Sequence, residues 1–131
     1  MCSIRESRSL PPEAPLPVET LKYCFDIDQA AGRIRQFTAG KTLDDYQHDL
    51  MLQSAVERQF EIIGEAVSQL AKRDPRTADR IPEYRRLISF RNVLIHGYAE
   101  VDEVLVWGFI ESHLPGLLTI VGAILAASPP S

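Results

Sequence analysis

The chain has 131 residues and a mass of 14.7 kDa, with 45% hydrophobic and 24% charged residues. These are the values of one ordinary globular domain, and they exclude a largely disordered protein. Fourteen Lys and Arg against eighteen Asp and Glu leave a formal charge of −4, which excludes a uniformly basic coat for nucleic acid.

Residues 1–17 hold Pro11, Pro12, Pro15 and Pro17 beside Ser and Arg with no apolar period, the pattern of a flexible arm. A helical domain is expected over 18–127 and a disordered tail over 128–131. The first helix runs from Thr20 to Gly40, with Leu21, Cys24, Phe25, Asp28, Ala31, Ile34 and Phe37 at three- and four-residue steps as its core stripe. Thr42 is an N-cap, with Asp44 and Asp45 where the helix dipole favours anions. One long helix is predicted from there to about Arg73, its stripe being Leu52, Val56, Phe60, Ile63, Val67 and Leu70. Asp74-Pro75 ends it, and a polar connector reaches Ile81. Pro82 stands where a first-turn proline belongs, opening a third helix over about Glu83 to His96 that Gly97 stops.

The last helical stretch starts near Val101-Asp102-Glu103 and carries Val104, Leu105, Trp107, Ile110 and Leu114. Pro115 either kinks it or starts a separate helix through Leu118, Val121 and Leu125. The apolar run from Leu114 to Ala127 is too short to span a bilayer and reads as a core helix. No stretch alternates with period two. The expected fold is therefore all-α, an antiparallel bundle of four or five helices. Cys2 and Cys24 make no disulfide framework and no zinc spacing, and no signal-peptide pattern precedes the domain, so the expected compartment is the cytoplasm. Nothing in the pattern calls for a metal, a cofactor or a membrane.

Charge is unevenly spread. Lys72 to Arg91 holds seven basic and three acidic residues, about +4, while the rest carries about −8. Such a segment suits local RNA contact, with Arg85 and Arg86 as candidates; it equally suits a solvated face paired with acids elsewhere. Those acids include Glu57, Glu61 and Glu65, a ladder at four-residue spacing expected to be wet at Glu57 and Glu61, with Arg85 or Arg86 able to bridge to Glu65.

The chemistry-bearing stretch is Arg91-Asn92-Val93-Leu94-Ile95-His96-Gly97-Tyr98. Arg91 and His96 are about 140° apart on a continuous helix, and Asn92 shares a face with His96. A helix break at Gly97 frees the imidazole and Tyr98, so the four groups can converge at a helix end. A guanidinium grips phosphate and an imidazole exchanges a proton near neutrality; together they suffice to cleave RNA through its own 2′-hydroxyl. One histidine supplies either base or acid, and a two-fold dimer supplies both. The plainer reading is a dipole-stabilising helix-end His and an anchoring Tyr. Val93, Leu94, Ile95 and Trp107 are more apolar side chains than one small bundle buries, so the third helix is expected in a dimer interface.

Arg91-x4-His96-x-Tyr98 resembles the RxxxxHxY signature of the HepT-like toxins in the HEPN superfamily. The stretch from Ala55 to Ala66, containing Phe60-Glu61-Ile62-Ile63-Gly64-Glu65, is similar too, as are Val101-Asp102, Val106-Trp107 and Leu114-Pro115. The likeness covers about residues 20–125. The family's Ile-Pro-Trp is here Ile81-Pro82-Glu83-Tyr84, away from the catalytic candidates. The resemblance implies a HEPN-like dimer and the toxin of a type VII-like toxin–antitoxin pair, a metal-independent endoribonuclease acting on tRNA or mRNA. In it Arg91 stabilises the phosphate, His96 transfers protons and Asn92 orients the RNA or the histidine. It also implies a minimal nucleotidyltransferase antitoxin that adenylylates Tyr98, placing charge and bulk in the cleft. The rival reading is a non-catalytic helical partner of such a transferase.

Overall fold

Seven helices, and no strand, form the described residues, 16–97 and 101–127, of the computed structural model. They are α1 (Val18–Thr38), α2 (Leu43–Gln47), α3 (Leu50–Arg73), α4 (Pro75–Ala78), α5 (Tyr84–His96), α6 (Glu103–Ser112) and α7 (Leu114–Ala127). The expected all-helical bundle is therefore the fold, with five long helices and two single turns. Most of the expected 1–17 arm (residues 1–15) and the expected tail (128–131) lie outside the described residues, as does Tyr98.

Helix α3 is the axis. It packs against α1 on one side and α5 on another, while α7 closes over α1. Its predicted stripe is the buried one: Leu52, Val56, Phe60, Ile63, Val67 and Leu70 all leave solvent, each full burial being worth roughly 1.5–3 kcal/mol. The Phe60 ring meets Phe90 of α5 at 5.2 Å and Phe109 of α6 at 5.8 Å, both edge-on, the arrangement the ring quadrupole favours.

Several expected boundaries and faces are corrected. The helix from Thr42 to Arg73 is two helices. Thr42 forms a capping box with Asp45, but Asp49 then caps a new start by accepting from the Leu52 N–H at 3.0 Å. The break is stable because the buried Gln53 amide donates to the Tyr46 and Gln47 carbonyls at 2.8 and 3.3 Å, satisfying acceptors that a helix end orphans. The stripe of α1 is rotated, with Cys24, Ile27, Ala30, Ala31 and Ile34 buried and Phe25 exposed. The connector after Arg73 contains α4, and Pro82 lies outside α5, whose N-cap is Glu83 in the left-handed region at φ 56°. An L residue adopts that conformation reluctantly. Here the Glu83 carboxylate accepts from Arg86 Nη1 and His113 Nε2, both at 2.7 Å, and these two bonds hold its carboxyl below the usual range.

Of the two options at Pro115, the separate helix is found: α7 starts at Leu114, bent 46° from α6. No single helix among the described residues is long and apolar enough to cross a membrane. Trp107, expected near the surface, is buried against the Tyr46 ring at 5.3 Å, so α2 docks on α6. Cys24 is fully buried as expected, and burial, then Asp74, pushes its thiol up to about 11, which leaves it inert.

Asp74 ties three elements. Its carboxylate accepts from the Thr77 N–H at 3.2 Å, the Thr77 hydroxyl at 2.8 Å and the Thr20 hydroxyl at 2.9 Å. Partial burial raises its carboxyl, but the bonds from Thr77 and Thr20, with Arg76 nearby, outweigh this and hold it low. A depressed folded value stabilises fully above the unfolded carboxylate pKa and is lost as pH falls through the folded one. Asp74→Ala is expected to cost about 1–2 kcal/mol in urea unfolding at neutral pH, and that gap should narrow as pH drops below roughly 4. A gap independent of pH would assign the loss to packing alone.

Candidate functional site

Helix α5 carries Arg91, Asn92 and His96 and buries little of itself: among its residues only Leu87 is fully buried. It is held to α3 at one close crossing. A Cβ on Gly64 would lie 2.2 Å from Arg91 Cβ, and 2.9 Å from both Arg91 Cγ and the Leu87 carbonyl oxygen. Only a residue without a side chain lets the two helices meet there. The crossing lays the aliphatic stem of Arg91 over α3 and fixes where its guanidinium emerges.

That guanidinium is then tied at two points. Arg91 Nη2 donates to Glu65 Oε1 at 2.5 Å, and Nη1 donates to Asn92 Oδ1 at 2.9 Å. The second Glu65 oxygen accepts from Gln69 Nε2 at 3.2 Å, one turn along α3. Arg85 and Arg86 are able by sequence to bridge to Glu65, but its partner is Arg91. The spacing did not reveal it because the pairing depends on the α3–α5 crossing, 26 residues apart. The remaining ladder is divided as well. Glu61 pairs with Arg58 at 3.2 Å, whereas Glu57 is partly withdrawn from water. Burial first, then the charges of Glu61 and Glu103, raise its carboxyl.

His96 is exposed and ends α5. Gly97 follows at φ 66°, and its N–H donates to the Val93 carbonyl at 3.1 Å, the left-handed stop that glycine provides. Arg91 and His96 thus lie five residues apart on one unbroken helix, about 7.5 Å along its axis, and neither is enclosed in the dry core. Arg85 and Arg86 are both exposed one to two turns earlier. The Arg85 guanidinium stands 4.9 Å over the Tyr84 ring, and that of Arg86, paired with Glu83, stands 5.6 Å over Phe109. The structure therefore gathers Arg91, Asn92 and Glu65, and holds Arg85 and Arg86 in separate contacts. Among the described residues, no three His, Cys, Asp or Glu side chains gather so as to hold a metal ion.

Beside this face an apolar groove of about 280 Å³ runs between α5 and α6, lined by Leu87, Phe90, Val93, Leu105 and Phe109 among others. Val93 is 42% exposed and Ile95 49%, so the apolar surplus expected on the third helix is present at these two, whereas Leu94 packs partly against the core and Trp107 is buried. On α6, Leu105 is 68% exposed. At the start of α6, Asp102 Oδ1 accepts from the Val104 and Leu105 N–H groups at 3.0 and 3.3 Å, a capping role for one residue of the resemblance.

The family model described as "Ribonuclease HepT-like" matches residues 27–124, well over half of the chain. The "Probable ribonuclease HepT" of Thermococcus cleftensis is 35% identical over 95 residues, covering 72% of this chain and 86% of that protein. "Putative RNase TTE0752" of Caldanaerobacter subterraneus is 34% identical over 103 residues, covering 79% and 91%. "Putative RNase MJ1380" of Methanocaldococcus jannaschii is 30% identical over 93 residues, covering 71% and 84%. No solved structure matches the chain.

The crossing is open to direct test. Gly64→Ala should lower stability by about 1–3 kcal/mol, read by chemical denaturation, since the clashing atoms include the Leu87 backbone. Gly122→Ala, with open space around it, should be neutral or stabilising by up to about 1 kcal/mol. Equal effects at the two positions would dismiss the tight α3–α5 approach.

Proposed function

Because the chain belongs to the ribonuclease HepT-like family, we propose that it is an endoribonuclease toxin of a type VII-like toxin–antitoxin pair. In this reading it acts in the cytoplasm on cellular RNA, tRNA or mRNA, without a metal, in a cleft between two copies of itself. The observation that carries the reading is the solvent side of α5, where a guanidinium held by Glu65 and Asn92 precedes, by five residues, a histidine that ends the same helix.

In the proposed reaction His96 of one protomer takes the proton of an RNA 2′-hydroxyl. The freed oxygen attacks the adjacent phosphorus to form a 2′,3′-cyclic phosphate, and the bond to the 5′-oxygen breaks. The 5′-oxygen receives its proton from the second imidazole, which a two-fold pair of chains supplies. Arg91 offsets the charge that builds on the phosphoryl oxygens, and Asn92 orients the RNA or the histidine. The exposed arginines Arg85 and Arg86 meet flanking phosphates. The exposed Val93 of α5 and Leu105 of α6, which line one groove, support the homodimer, because surplus apolar surface is covered by a second copy.

Tyr98 follows His96 by two positions, near enough in the chain to act on the same cleft. In the proposed neutralisation a minimal nucleotidyltransferase antitoxin directs the Tyr98 phenol oxygen onto the α-phosphorus of ATP. Pyrophosphate leaves, and the AMP that remains repels RNA phosphates. A second reading, a helical partner that binds the transferase without cutting RNA, takes support from the net charge of −4 and from the engagement of Arg91 by an acid.

One set of measurements separates the two. Purified protein should cleave RNA in EDTA and leave cyclic-phosphate ends, while His96→Ala should fold normally and cut at least about 100-fold more slowly. Tyr98→Phe should cut as the parent does and gain no AMP mass with transferase and ATP. Uncut RNA together with a stable transferase complex would favour the partner role, and cleavage by His96→Ala would remove that residue from the mechanism. Light scattering is expected to give a dimer at micromolar concentration, with Val93→Glu shifting it to monomer; a monomeric parent protein would dismiss the composite cleft.

A further inference from the structure

The acid on α3 has a use beyond folding. We infer that Glu65 is the positioning residue of the RNA-cleaving site: its carboxylate aims the Arg91 guanidinium, and Gln69 in turn aims the carboxylate. This rests on the ribonuclease reading above.

Three contacts on Arg91 argue for it. The stem is pressed onto Gly64, where a Cβ could not fit. One terminal nitrogen is bonded to Glu65 and the other to Asn92, so the plane of the guanidinium is set at both ends. The carboxylate is not a loose surface acid, since its other oxygen is held by Gln69. The bonds to Glu65 and Asn92 take two of the five N–H groups of an arginine and leave donors for phosphate oxygens. A long, flexible side chain fixed before the phosphate arrives loses less rotamer freedom on gripping it, which is the advantage of a preorganised site. The pair has a second consequence. An acid beside Arg91 weakens its pull on phosphate in the ground state, so its removal should improve RNA binding while harming the chemical step. A residue that merely held the fold would not give that split.

The experiment uses the full chain and total cellular RNA in EDTA, counting cyclic-phosphate ends to obtain kcat and KM. Glu65→Ala should lower kcat tenfold or more, a loss of about 1.4 kcal/mol of transition-state stabilisation, with KM unchanged or lower. Glu65→Gln keeps an oxygen acceptor for Arg91 and should recover at least a third of the parental kcat. Gln69→Ala, which frees the far oxygen, should lower kcat about threefold and carries the test if Glu65→Ala melts below the assay temperature. A kcat in Glu65→Ala within twofold of the parent, or above it, overturns the positioning role, as does a loss that Glu65→Gln leaves uncorrected. In the fallback, an unchanged kcat in Gln69→Ala overturns it. Parent protein that leaves RNA uncut overturns the ribonuclease reading and this inference with it. A parent that cuts beside an equally fast Glu65→Ala overturns this inference alone.

Discussion

Two helices approach closely only where neither interposes a side chain, and in this protein that place is Gly64. A hypothetical Cβ there would sit 2.2 Å from Arg91 Cβ and 2.9 Å from the Leu87 carbonyl. The consequence runs in both directions along α5. Toward its N-terminus, Leu87 is driven into the core and Phe90 reaches the ring of Phe60. Toward its C-terminus the helix stays on the surface, ending in His96 and the left-handed Gly97. The core and the candidate site are thus anchored by one backbone contact.

The charges are arranged around that contact. A ladder of glutamates at helical spacing repels itself on an isolated helix. Here each rung has a different fate: Glu57 is partly withdrawn from water and held up, Glu61 pairs with Arg58, and Glu65 takes Arg91. The basic segment from Lys72 to Arg91 is likewise divided, with Arg73 on Glu19 and Arg86 on Glu83. Exposed pairs of this kind contribute little stability, typically about 0–1 kcal/mol. Their effect is on direction, most of all at Arg91, whose two terminal nitrogens are both held.

The surplus of the fold is apolar surface on α5 and α6. Leu105 and Val93 border a groove next to the Arg86–Glu83–His113 knot, and that knot locks the N-terminus of α5 to the α6–α7 bend despite the strained backbone at Glu83. The chain's membership of the ribonuclease HepT-like family gives this surface its setting.

Much of the protein was legible in the chain itself. The stripe of α3 from Leu52 to Leu70, the buried Cys24, the cap at Thr42 and the stop at Gly97 all follow from local periodicity and from side chains reaching a backbone a few residues away. The grouping of Arg91, Asn92 and His96 on one helix is local in the same sense. What the chain left open depended on partners far along it: the rotation of α1 that exposes Phe25, the burial of Trp107 under Tyr46, and above all the pairing of Arg91 with Glu65. Those are decided by how helices cross. A crossing is set by the shape of two surfaces at once, here by an absent side chain at Gly64, and neither helix by itself specifies what the other will bring to it.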